Sequence, residues 1–128
     1  MQAVFLVGLA GAVGAVSRYL VGLAAERSLG SHFAFGTLLV NVLGCLILGF
    51  LLEVDRQGGH LGQHLRLLFA VGFLGAFTTF STFGYETFRY VQTGAAHLAL
   101  LNVSANLFLG LGAVWLGWVA ARSVLAGA

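Results

Sequence analysis

The chain has 128 residues, of which 59% are hydrophobic and only 8% charged, with a formal net charge of +2. A water-soluble domain carries about 25% charged residues, so this chain cannot cover a water-facing surface and its solvent is largely lipid. The positive balance is too small and too scattered to mark a nucleic-acid partner, and the single cysteine, Cys45, forms no intrachain disulfide and no cysteine-built metal site.

A transmembrane helix needs about 20 mostly apolar residues. Four segments qualify, at about residues 3–25, 33–52, 65–91 and 98–121. They predict an all-α integral membrane protein in which 1–128 is a single four-helix transmembrane domain with short connectors. The first segment lacks a positive n-region, and its apolar run continues past Arg18, so it reads as a retained helix rather than a secretory signal.

Span one contains "GLAGAVGAVSRY", with Gly8, Gly11 and Gly14 at every third position and Ala12 and Ala15 next to them. Small residues at this spacing let helices approach closely in a membrane. The spacing is wrong for a dinucleotide site, and no strand precedes it. Arg18 lies inside the apolar run or near its edge. Either it snorkels to the interface or it pairs with helix-end carbonyls within the protein.

Span two is "FAFGTLLVNVLGCLILGFLL". Asn41 sits near mid-bilayer, and Thr37, four residues earlier, shares its helical face. A lone asparagine there reads first as an interhelical clamp. Span four adds Asn102, Asn106 and Gly110, spaced by four along one stripe, with Ser104 pointing elsewhere. With Asn41 and Thr37, the stripe makes a track rich in neutral donors. Trp115 and Trp118 near the end of span four suit an interfacial belt.

Span three holds "GFLGAFTTFSTFG", Gly72–Gly84, a glycine- and hydroxyl-rich stretch at membrane depth. Gly72 and Gly75 weaken the helix, and Thr78 and Thr79 compete for its backbone bonds. A break is expected within Gly75–Thr79. Backbone freed in lipid must be satisfied by protein or an ion, and discontinuous helices use such carbonyls to hold a cation. Beyond the break, Phe80 and Phe83 share a face, and their positive ring edges could touch a small anion.

The acids are Glu26, Glu53, Asp55 and Glu86, and none lies clearly at mid-membrane. His32, His60, His64 and His97 fall at span edges or in connectors and read as solvated rather than as a metal site. Ser81 lacks a base, so serine hydrolysis has no support and no enzyme constellation is present. The chain has no lysine, so it cannot carry a P-loop. Arg56, Arg66 and Arg122 fall on one side of the membrane, and Arg18, Arg27 and Arg89 on the other. The positive-inside rule therefore favours neither orientation, which makes insertion both ways plausible. A thin four-helix bundle hides few polar groups, which argues for an oligomer with polar faces meeting at the subunit interface.

The pieces "GAVGAVSRY", "FGTLLVNVLG", "GFLGAFTTFSTFGYE" and "LGLGAVWLG" occur in order and touch all four spans. Together they resemble the Fluc (CrcB) family of fluoride channels, over essentially the whole chain, and the span-three piece is the most specific. The resemblance implies a multi-pass protein of the cell inner membrane that passively exports fluoride and relieves its toxicity. It implies an antiparallel dual-topology homodimer with two pores and a structural Na⁺ at the dimer interface. The carbonyls of Gly75 and Thr78 would hold that ion. Phe80 and Phe83 would line the pores, Asn41 would be a pore donor with Thr37 nearby, and Ser81, Thr82 and Glu86 would follow along span three. Arg18 would support the dimer. Family members often carry tyrosine and serine where this chain has Asn102 and Asn106, and asparagine can still donate there.

Two other classes compete. A small dual-topology, proton-coupled exporter of cationic compounds would need a membrane carboxylate, and only Glu86 could serve. A non-transporting assembly subunit, held by its glycine faces, would show no ion flux alone.

Overall fold

A computed structural model of the chain describes residues 1–59 and 62–127, so His60 lies outside the described residues. The described residues form α1 (Gln2–Leu29), α2 (Phe35–Val54), α3 (63–77), α4 (Phe80–Gln92) and α5 (Ala96–Ala126). Four stretches are long and apolar enough to cross a membrane: Gln2–Leu29, Phe35–Gly58, Gln63–Gln92 and Ala96–Ala126. Each outruns the span expected from hydropathy. Apolar character stops at the membrane surface, whereas helical hydrogen bonding continues into the interface.

α3 and α4 together make the third span, interrupted at Thr78 and Thr79, whose backbones are extended (φ −81°, ψ 160° and φ −151°, ψ 121°). Gly75 itself stays helical, so the expected break falls at the far end of its predicted window. Upstream, Leu67–Leu74 is wound as wide π-turns, a rare geometry that collects at functional sites. Gly30 (φ 83°) and Gly94 (φ 76°) take the left-handed conformations that end α1 and turn the chain into α5.

The helices approach closely where glycine removes a side chain. α2 packs along α5. A Cβ on Gly49 would strike the Val114 carbonyl, and one on Gly117 the Leu46 carbonyl. α1 packs on α3, where a Cβ on Gly14 would strike the Phe73 carbonyl. Of the three expected contact glycines in α1, Gly11 and Gly14 face α3, whereas Gly8 has open space. The apolar core is small: Val40, Leu74 and Phe77, flanked by Val21, Leu48, Leu51 and Phe73. At the opposite end of α2 from Thr37, Glu53 is buried and accepts from Arg56 Nε and Nη2 (both 2.8 Å) and from Gln57 (2.6 Å).

α4 packs mainly on α5. Between α1, α2 and α4 an open cavity of about 690 Å³ runs to the break, lined among others by Arg18, Glu26, Thr37, Thr79, Thr82 and Glu86.

Candidate functional site

The break is built from three elements. Thr78 ends α3, with its hydroxyl donating to the Leu74 carbonyl at 3.0 Å. This is the local competition for backbone bonds expected of threonine. Thr79 is the N-cap of α4, its Oγ1 accepting from the Thr82 N–H at 3.2 Å and donating to Thr82 Oγ1 at 3.0 Å. Asn41, from α2, holds the Thr79 peptide on both sides. Asn41 Oδ1 accepts the Thr79 N–H at 2.9 Å, and Asn41 Nδ2 donates to the Thr79 carbonyl at 3.2 Å.

This arrangement diverts two helix donors. In a continuous helix the Thr79 N–H would serve the Gly75 carbonyl and the Thr82 N–H the Thr78 carbonyl. Here the first goes to Asn41 and the second to Thr79 Oγ1. The carbonyls of Gly75 and Thr78 therefore lose the partners a straight helix would give them.

Asn41 is also the start of a longer path. Its Nδ2 donates to Asn106 Oδ1 at 2.9 Å. Asn106 Nδ2 donates to the Asn102 carbonyl at 3.0 Å and to Asn102 Oδ1 at 3.1 Å. Asn102 is wholly buried, at 0% exposure, and donates to Thr87 Oγ1 at 2.9 Å. The two asparagines of the span-four stripe are thus joined to Asn41 of the expected track by direct hydrogen bonds. Both N–H groups of Asn41 are engaged within the protein.

The remaining candidates sit around this path. Phe80 is 83% exposed and lies 5.6 Å, centroid to centroid, from half-buried Phe83 at a tilt of 48°. Ser81 and Thr82 are exposed on the single chain. Thr37 donates to Glu86 Oε1 at 2.8 Å, and Glu86 Oε2 is buried without a partner among the described residues. Arg18 lines the cavity and makes no ion pair among the described residues. The sequence motifs do not place Thr79 or Thr87 among the site residues. Thr79 carries a signal as the last residue of the expected break window; Thr87 carries none, because its partner Asn102 is on another helix.

An interrupted third span, pinned by the Asn41 amide beside an open cavity, defines a small multi-pass membrane protein of the transport class. Residues 5–118 match the family described as CrcB-like protein, camphor resistance (CrcB), and the chain belongs to that family. The chain is similar to curated relatives that bear the name fluoride-specific ion channel FluC. That of Dehalococcoides mccartyi is 44% identical over 117 residues, covering 91% of this chain and 90% of the relative. That of Geobacter sulfurreducens is 42% identical over 124 residues, covering 97% and 100%. That of Nitratidesulfovibrio vulgaris is 45% identical over 124 residues, again covering 97% and 100%. The family is a channel class and not an enzyme class.

Proposed function

We propose that this protein is a fluoride-selective channel of the cell inner membrane, giving passive efflux of fluoride from the cytoplasm. The observation that carries this reading is the break at Thr78–Thr79, held open by Asn41 next to two phenylalanines and a row of hydroxyls. The relatives' shared name supplies the ion.

The chemistry suits that ion. Fluoride is small and strongly hydrated, and it needs donors along its path in place of water. Neutral donors replace hydration in steps without trapping the ion, as conduction requires. Asn41, Ser81, Thr82 and Thr37 are such donors, and the edges of Phe80 and Phe83 present positive hydrogens. Asn106 continues the amide path from Asn41, backed by the fully buried Asn102.

The working unit in this reading is an antiparallel homodimer with two pores. Ser81, Thr82 and Phe80 are exposed on the single chain, and polar groups at membrane depth need a protein face. The arginines, three on each side, put no bias against inverted insertion. Arg18 supports the dimer from the cavity wall. The carbonyls of Gly75 and Thr78, whose helical donors are diverted, suit a hard monovalent cation. A structural Na⁺ held by these carbonyls from both subunits would join the two breaks.

One observation favours a second reading, a proton-coupled exporter of cationic compounds: Glu86 has a buried oxygen without a partner among the described residues, beside the cavity. Reconstitution of the purified protein in liposomes, with a fluoride electrode and no proton gradient, separates the two. The channel reading expects fast fluoride efflux with little chloride flux. Flux that appears only when a proton gradient is imposed would replace it with the exporter reading.

A further inference from the structure

The hydrogen bonds at the break form one directed chain. Thr87 donates its only hydroxyl proton to the Phe83 carbonyl at 2.8 Å. Its oxygen can then only accept, so the Asn102 group 2.9 Å away is the NH₂. That turns Asn102 Oδ1 toward the Asn106 NH₂ at 3.1 Å. Asn106 accordingly presents Oδ1 to the Asn41 NH₂ at 2.9 Å. Asn41 is left with Oδ1 facing the Thr79 N–H at 2.9 Å and an N–H facing the Thr79 carbonyl at 3.2 Å. A backbone carbonyl cannot donate and a backbone N–H cannot accept. Turning over Asn41 or Asn106 therefore sets like groups against each other, and turning over Asn102 sets its NH₂ against that of Asn106 and requires the Thr87 hydroxyl to leave the Phe83 carbonyl.

The two ends of the chain, Thr79 and Phe83, lie about one turn apart at the start of α4. The turn between them carries Phe80 and leads into the ring of Phe83. We propose that Asn102 and Thr87 are positioning residues of the pore: they fix the amide of Asn41 through Asn106, and they close a strap across the Phe80–Phe83 turn. This rests on the channel reading of the break. In it, Asn102 touches no ion and acts through its neighbours. Fluoride that reaches Asn41 replaces Asn106 Oδ1 or the Thr79 carbonyl as the acceptor of an N–H, so the strap also sets how readily that donor is released.

The test uses Thr87→Val, which keeps the side-chain shape, Thr87→Ser, which keeps the hydroxyl, and Asn102→Ala. Two quantities are read on the reconstituted protein. One is the exchange protection of the Thr79 amide together with the side-chain NH₂ resonance of Asn41, by NMR. The other is the rate of fluoride efflux. Thr87→Val is expected to lower the Thr79 protection and the fluoride rate each on the order of tenfold, and Thr87→Ser to restore both. Asn102→Ala is expected to do the same as Thr87→Val if it folds; Thr87→Val carries the test if it does not. Unchanged Thr79 protection and an unchanged Asn41 resonance in Thr87→Val would overturn the strap, whatever the flux. Lost protection in Thr87→Val with no fluoride efflux from the parent protein would support the strap and place the failure in the channel reading.

Discussion

One side chain, Asn41, answers for both polar groups of the Thr79 peptide and for Asn106 Oδ1. Leaving a buried donor or acceptor unmade costs about 1–3 kcal/mol, and lipid supplies no substitute partner. Asn41→Ala is therefore expected to destabilise the fold by about 3 kcal/mol and to abolish fluoride flux. Unfolding in mixed micelles with increasing denaturing detergent would measure the first, and efflux the second; wild-type stability would contradict the clamp. The sequence made part of this site readable. The i, i+4 spacing of Asn102 and Asn106 announced a shared face, and the depth of Asn41 announced a need for partners. The partners themselves were not readable. Asn41 meets Thr79 and Asn106 across separations of 38 and 65 residues, and such contacts depend on how the helices are rotated against each other.

At the scale of the helices, composition revealed four spans and a weak point in the third. It did not reveal the π-wound stretch Leu67–Leu74, whose residues other than Gly72 are ordinary apolar ones with no signal for that rare geometry. Nor did it distinguish the glycines of α1. Gly8 and Gly14 belong to the same three-residue repeat, yet only Gly14 lies against backbone, at the Phe73 carbonyl. Backbone cannot rotate aside, so Gly14→Ala forces α1 off α3. We expect it to cost about 1–3 kcal/mol and to displace the segment leading into the break. Gly8→Ala meets open space and is expected to leave thermal stability unchanged. Equal melting temperatures for the two variants would contradict the packing described for α1.

At the scale of the whole molecule, polar surface and charge balance decide how the chain is used. A single bundle leaves hydroxyls and an aromatic face uncovered beside the break, and the even arginine count leaves its orientation free. A single cysteine placed by Ser28→Cys, in a Cys45→Ser background, is expected to react with a membrane-impermeant thiol reagent from both faces of the membrane, about half of the copies from each, since the arginines give neither orientation an advantage. Labelling from one face only would contradict antiparallel insertion. Selective conduction of fluoride is tested most directly by the reversal potential of the purified protein in a planar bilayer, with fluoride on one side, chloride on the other and no proton gradient. The account predicts a current that reverses far toward the fluoride equilibrium potential. Reversal near zero, or a current that needs a proton gradient, would contradict it.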